Sequence, residues 1–209
     1  NQTRILTIPN VITTTRIACS PILANLILAE NLTHAVMLAT VVGLSDLLDG
    51  AIARSFPNQQ SVLGSYLDPM ADKILVTTLV TSMAYTDLLP GSLASLIICR
   101  DLGIVILAGY LSFLSIPKPR TFRDLVILKR LPIEMKASSL SKLNTFCQLS
   151  GIVSGLVAPL IGMGHSTYLY AIWSVAATTT ICSGLDYLRQ YPQWKRRALK
   201  RSFESKKQT

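Results

Sequence analysis

Charged residues are scarce in this chain. They make up 15% of its 209 residues, against about 25% in ordinary soluble domains. Half of the residues are apolar. This composition excludes an ordinary soluble globule and predicts an all-α integral membrane protein.

Cysteine pairs are also lacking. The four cysteines all fall in apolar stretches, and none forms a C-x-x-C pair. A disulfide framework and a zinc site are therefore excluded as the basis of the fold.

Acidic residues are outnumbered by basic ones, which gives a net charge of +9. A basic excess is typical of proteins that contact nucleic acid or a membrane surface. Since no nucleic-acid-binding signature accompanies the charge, we expect anionic membrane lipids as partners and no nucleic acid.

Six apolar runs are each close to the length that crosses about 30 Å of hydrocarbon. They cover 9–29, 34–53, 67–89, 92–115, 143–163 and 168–188. Six transmembrane helices place both chain termini on the same side of the membrane.

Basic residues are distributed very unevenly around these runs. On this topology 17 of the 20 lysines and arginines lie on the side of the termini, and none lies in the loops near 30–33, 90–91 and 164–167. The positive side is therefore the cytoplasm or an equivalent compartment. We expect a membrane domain over 1–188, with a polar linker at 116–142, and a basic C-terminal tail over 189–209. The tail is either bound to anionic headgroups or solvated.

Four aspartates lie inside or beside the second and third apolar runs. A carboxylate at the centre of a bilayer costs roughly 2.5–3.5 kcal/mol. Helical spacing places the first two on one face of the second segment and the last two on one face of the third. We therefore expect both acidic faces to meet near the positive side. The four residues are Asp46, Asp49, Asp68 and Asp72.

Four carboxylates suit a pair of Mg²⁺-like ions about 3.5–4 Å apart, which clamp phosphate oxygens. The small residues Gly50, Ala53 and Gly64 let a ligand approach closely, and Arg54 is placed to hold a phosphate. The alternative is a structural cluster of helix caps and ion pairs with Arg54 and Lys73.

The string D-x2-D-G-x2-A-R-x9-G-x3-D-x3-D, over residues 46–72, resembles the signature of the CDP-alcohol phosphotransferase family. The resemblance continues from Ile8-Pro9-Asn10 to Ser141-Lys142-Leu-Asn144-Thr145 and so covers nearly the whole chain. The details are most similar to the mitochondrial members that use CDP-diacylglycerol as donor and phosphatidylglycerol as acceptor.

The resemblance implies roles for particular residues and two divalent cations as cofactors, Mg²⁺ or else Mn²⁺ or Co²⁺. Asp46, Asp49, Asp68 and Asp72 would bind the metals, with Asp72 also the catalytic base. The donor's CDP group would be bound by Asn10, Gly50, Ala53, Arg54 and Gly64. It also implies a homodimer in the mitochondrial inner membrane, with the active site facing the matrix.

Three cations come from different segments, and we expect them to converge on the acceptor phosphate. They are Arg16, Arg100 and Lys142. Two other functions remain open: a family member that takes glycerol-3-phosphate, and a transporter of divalent cations or lipids. The short, nearly uncharged far loops argue mildly against an exit path for a transported ion.

Overall fold

The described part of the chain is helical. The computed structural model describes residues 8–55, 64–115, 138–164 and 166–206, with side chains from Thr13 onward except at 46–55, 64–69, 201 and 204–206. These ranges contain no β-strand. The helices are α1 (Ile8–Leu28), α2 (Leu32–Ser55), α3 (Gly64–Tyr85), α4 (Gly91–Leu114), α5 (Ser139–Val157), followed by a 3₁₀ turn (Ala158–Ile161), and α6 (Thr167–Lys206).

Each of the six apolar runs overlaps one of these helices, which confirms the all-α prediction. α3 ends at Tyr85, four residues earlier than expected. Asp87 adopts a left-handed conformation with φ 56°, and the amides of Leu88 and Leu89 both bond back to the carbonyl of Met83. Such a closure stops a helix by satisfying its last carbonyls.

α5 begins four residues before the predicted start of the fifth run. The Ser138 hydroxyl accepts a hydrogen bond from the Ser141 amide at 3.2 Å, which is the usual way a serine caps a helix N-terminus. Residues 139–142 of the expected linker are therefore the first turn of a helix. Linker positions 116–137 lie outside the described residues.

Two of the described helical stretches are long and apolar enough to cross a membrane, Gly91–Leu114 and Ser139–Ile161, and a shorter apolar stretch covers Leu32–Ser45. α3 carries Asp68, Asp72 and Lys73, so charged residues lower its hydropathy. The chain is an all-α membrane protein in composition and secondary structure. The crossing of all six helices stays a prediction.

The chain divides into two compact units. The first comprises Asn1–Ala94 and Leu149–Trp173, and the second comprises Ser95–Gln148 and Ser174–Thr209. In the first unit α1 packs against both α2 and α3, with Leu23, Ile27 and Met83 fully buried. The second unit has a core that joins the end of α4 to the C-terminal half of α6.

Candidate active site

The acidic motif lies on two consecutive helices. Asp46 and Asp49 belong to α2, and Asp68 and Asp72 belong to α3. Because the backbone is helical at all four positions, the spacings i, i+3 and i, i+4 bring each pair to one face of its helix. Asp72 is the only one of the four whose side chain is described, so the meeting of the two faces stays a prediction.

Asp72 is held by an arginine from a third helix. Nη1 of Arg16 on α1 donates to Oδ1 of Asp72 at 2.5 Å. The arginine side chain is only 2% exposed, whereas the aspartate side chain is 50% exposed. The buried guanidinium therefore obtains a counter-ion, and the carboxylate is fixed at the surface of the first unit.

This contact gives Arg16 a structural pairing role, which was the alternative for an arginine inside an apolar segment. The expected role was binding of the acceptor phosphate, which remains untested. A signal was present, because an arginine inside an apolar helix requires a counter-charge. The sequence offered several acids as partners, and the packing of α1 on α3 selects Asp72.

Arg100 is the centre of a buried polar cluster in the second unit. Its Nη1 donates to Oδ1 of Asp101 at 2.7 Å. Its Nη2 donates to the hydroxyls of Ser141 and Ser183, both at 3.0 Å. The guanidinium also lies 5.6 Å from the ring centroid of Tyr187. One arginine thus links α4, α5 and α6 within this unit.

The polar contacts continue one turn along α5. Asn144, which is fully buried, accepts hydrogen bonds from the hydroxyls of Thr179 and Thr180 at 3.1 and 2.9 Å. Gln148 donates to Thr180 at 3.1 Å. Ser141 and Ser183 share Nη2 of Arg100, whereas Gln148, further along α5, contacts Thr180, which is earlier in α6. The two helices therefore run antiparallel here. Hydrogen bonds of this kind associate helices in lipid, at about 1 kcal/mol each.

Two buried donors in this cluster make no hydrogen bond within the described part of the chain. They are Nε of Arg100 and Nδ2 of Asn144. Lys142 lies on the same helix as Asn144, next to the serine that binds Arg100, and its side chain is exposed. The second unit therefore gathers Arg100 and Lys142, whereas Arg16 belongs to the first. Convergence of all three cations stays a prediction.

The residues expected to bind CDP lie on the helices that carry the aspartates, apart from Asn10 in the first turn of α1. Gly50, Ala53 and Arg54 occupy the last turns of α2, and Gly64 begins α3. Their side chains, and that of Asn10, are outside the described set. The sequence positions of Gly50, Ala53, Arg54 and Gly64 place them close to the acidic residues of α2 and α3.

The carboxylate ligands of the motif suit divalent cations. Hard cations take carboxylate oxygens, and the one described carboxylate of the motif, Asp72, is half-exposed rather than sealed in a core. Among the residues with described side chains, no group of three His, Cys, Asp or Glu residues could hold a metal ion. Three of the four aspartates lie outside that set. All four cysteines are free thiols, as the sequence predicted.

The chain is an all-α membrane protein with paired aspartates on consecutive helices. Comparison with known proteins shows which family has these features. The family model for CDP-alcohol phosphatidyltransferase matches residues 6–181. The chain belongs to this family, and the resemblance noted from the motif is confirmed.

Particular relatives refine this placement. The chain is 40% identical over 181 residues to a human protein named cardiolipin synthase (CMP-forming), covering 87% of this chain and 60% of that protein. It is 37% identical to a probable cardiolipin synthase (CMP-forming) of Drosophila melanogaster, covering 88% of this chain and 57% of that protein.

A rice protein named CDP-diacylglycerol–glycerol-3-phosphate 3-phosphatidyltransferase 1, chloroplastic, is 35% identical, covering 91% of this chain and 58% of that protein. The chain thus spans about 60% of the length of these curated relatives.

Proposed function

We propose that this chain is a cardiolipin synthase of the CMP-forming type. It would transfer the phosphatidyl group of CDP-diacylglycerol to phosphatidylglycerol and release cardiolipin and CMP. The observation that carries the proposal is the 40% identity to relatives of that name over 87% of this chain. The aligned length is sufficient to include the acidic motif on α2 and α3.

The chemistry assigns a proton acceptor. The terminal glycerol hydroxyl of phosphatidylglycerol attacks the phosphatidyl phosphorus of the donor and loses its proton, while the bond to CMP breaks. A carboxylate within hydrogen-bond reach can take that proton. We assign this role to Asp72, whose carboxylate is oriented by Arg16 and remains half-exposed.

The remaining residues bind and orient the two lipids. Asp46, Asp49, Asp68 and Asp72 would hold two divalent cations, which when bound supply positive charge against the pyrophosphate and the departing CMP. Asn10, Gly50, Ala53, Arg54 and Gly64 would hold the CDP group.

Arg16, Arg100 and Lys142 would face the acceptor phosphate. The two buried unpaired donors, Nε of Arg100 and Nδ2 of Asn144, support an acceptor site in the second unit. Buried donors cost free energy unless an acceptor reaches them.

The setting of the reaction is a membrane face. We propose that six helices cross the bilayer with both termini on the positive side, in the mitochondrial inner membrane with the site facing the matrix. Both lipids then stay in one leaflet while the nucleotide leaves into water. A homodimer, as in the family, completes the proposal.

A second function has specific support, because relatives from rice and from Aquifex aeolicus carry the name of a glycerol-3-phosphate phosphatidyltransferase. Its acceptor bears a phosphate monoester and calls for a more cationic pocket. The test supplies labelled CDP-diacylglycerol with equal amounts of phosphatidylglycerol and glycerol-3-phosphate to the purified protein. Labelled cardiolipin supports the proposal, and labelled phosphatidylglycerophosphate replaces it with the second function.

A further inference from the structure

Ser141 ties the first turn of α5 to the other two helices of the second unit. The residue is buried, with 6% of its surface exposed. Its hydroxyl accepts a hydrogen bond from Nη2 of Arg100 at 3.0 Å and lies 3.3 Å from the phenol oxygen of Tyr187. One hydroxyl therefore joins α5 to both α4 and α6.

Arg100, the first partner of this hydroxyl, is itself held in place. Its Nη2 also donates to the hydroxyl of Ser183 on α6, at 3.0 Å, and its Nη1 donates to Asp101 at 2.7 Å. The guanidinium carbon lies 5.6 Å from the centroid of the Tyr187 ring, which is within the range of a cation–π contact. The donor to Ser141 therefore has little freedom to move.

Tyr187, the second partner, is anchored by the helix that contains it. α6 continues to Lys206, so the tail expected over 189–209 is helical up to that residue and Tyr187 lies far from the helix end. Its ring packs against a buried cluster of α4 and α6 side chains, which are Leu111, Leu114, Trp194 and Ala198. The phenol oxygen therefore meets Ser141 from a rigid surface.

The first turn of α5 needs such an anchor, because amides at the start of a helix have no intrahelical partner. Here the Ser138 hydroxyl accepts from the Ser141 amide, and the Lys142 amide donates to the Ser138 carbonyl at 3.2 Å. Lys142 thus closes the first turn, and unwinding of that turn would move it. Its side chain is exposed and lies about 100° around the helix from the buried Ser141.

We propose that Ser141 and Tyr187 are positioning residues for the acceptor lipid. Their contact with each other and with Arg100 holds the first turn of α5, so that Lys142 faces the acceptor phosphate. This inference rests on the proposed function, in which Lys142 binds that phosphate. Precise placement matters, because a displacement of about 1 Å can cost about 100-fold in rate, and a binding side chain needs neighbours that fix its backbone.

The test separates the orientation of Lys142 from general stability. S141A and Y187F each remove one hydroxyl, and Y191F is the matched control, because Tyr191 packs against the same cluster. Apparent KM values for phosphatidylglycerol and CDP-diacylglycerol are measured from CMP release by the full chain in neutral detergent.

We expect S141A to raise the KM for phosphatidylglycerol about five- to tenfold and Y187F about two- to fivefold, as the loss of one hydrogen bond does. The donor KM and the thermal midpoint should change little in both variants, and Y191F should match wild type. Equal increases in both KM values, together with a lower thermal midpoint, would overturn the proposal, because they describe a general structural role.

A double-mutant cycle shows whether Ser141 acts through Lys142. In the K142A background, S141A should raise the KM for phosphatidylglycerol no further, because the group that Ser141 positions is already absent. If the two substitutions instead raise this KM independently, Ser141 does not act through Lys142 and the proposal is wrong.

A second readout needs no turnover. Lys142 is acylated with an amine-reactive ester, with and without short-chain phosphatidylglycerol, and its labelling is measured by mass spectrometry. At a lipid concentration twice the dissociation constant, labelling should slow about threefold in wild type and Y191F, and much less in S141A and Y187F. No protection in wild type, or equal protection in all four proteins, would overturn the proposal. Protection without CMP release in wild type would refute the enzymatic proposal and leave this one standing.

Discussion

Two arginines in apolar helices, Arg16 and Arg100, are paired in different ways. Arg16 is almost completely buried and reaches the half-exposed Asp72, so one ion pair both neutralises a buried cation and fixes the proposed base. Arg100 instead forms an ion pair with Asp101 and donates hydrogen bonds to two serine hydroxyls. An intramembrane cation needs such partners, because an isolated charge in hydrocarbon is costly.

Replacing Asp72 with asparagine should abolish turnover, because an amide cannot accept the acceptor's proton. A general base contributes typically 10²–10⁴-fold, so we expect CMP release to fall by at least about 100-fold. Binding of CDP-diacylglycerol should stay measurable by equilibrium dialysis. Normal turnover in D72N would refute the assignment of the base.

The Arg16–Asp72 pair should be visible as coupling in a double-mutant cycle. R16Q in wild type removes the counter-ion of Asp72, whereas R16Q in the D72N background removes a weaker contact. We expect the two losses of unfolding free energy to differ by about 1 kcal/mol, within the range for residues in contact. R16K is the control, since it keeps the charge. Additive losses would show that the contact does not contribute to the unfolding free energy.

Lys142 is exposed beside the Arg100 cluster, where it can reach a headgroup phosphate. K142A should raise the apparent KM for phosphatidylglycerol about tenfold, the loss of one charge-assisted hydrogen bond, with a smaller change for the donor. K142R should restore most of the affinity. An equal rise in both KM values would argue against an acceptor-specific role.

At this scale the sequence identifies candidate residues and leaves their partners open. The motif spacing selected four aspartates, and the helices confirm that each pair shares a face of its helix. The partner of Arg16 could not be chosen, since Asp72 is 56 residues away. Side-chain pairs between helices depend on packing, which a motif does not encode.

The helices themselves were largely predictable because apolar runs of about 20 residues fold as helices in or near a membrane. The extension of α6 was not predicted, because arginines and lysines after residue 188 are typical of a solvated tail. A signal existed in the apolar series Tyr187, Tyr191, Trp194 and Ala198, spaced i, i+4, i+7, i+11. Its partner, the end of α4, is supplied by tertiary packing alone.

Among the glycines whose surroundings are described, Gly155 of the first unit lies closest to another segment. A Cβ added at Gly155 would lie 2.7 Å from the carbonyl oxygen of Leu88 and 2.8 Å from Cε of Met83. The methionine can move, but the backbone oxygen cannot without a shift of the chain. G155A should therefore lower the unfolding free energy by about 1–3 kcal/mol, as overpacked cores do.

The measurement for G155A is the thermal midpoint in detergent. G103A is the matched control, because a Cβ at Gly103 meets no atom within 4 Å, and alanine is the better helix former. We expect G103A to be neutral or slightly stabilising. A stable G155A protein would mean that α5 can retreat from Leu88 at little cost.

For the whole molecule, the family follows from the motif and from the match over residues 6–181. The number of crossings and the orientation rest on the distribution of lysine and arginine, which is a property of the whole chain. Within the described residues, apolar length alone supports crossings in two stretches with few charges, which contain α4 and α5. The aspartates of the acidic motif lower the hydropathy of α2 and α3, and their role as the site stays a prediction.

We propose above that aspartates on α2 and α3 bind divalent cations for phosphatidyl transfer. The direct measurement is CMP release from CDP-diacylglycerol by the purified chain in lipid, with phosphatidylglycerol present, after chelation and after adding back Mg²⁺, Mn²⁺ or Co²⁺. We predict no CMP release in chelator and recovery with at least one of these ions. Equal CMP release with and without chelator, or ion movement across the membrane with no CMP under any condition, would contradict the account.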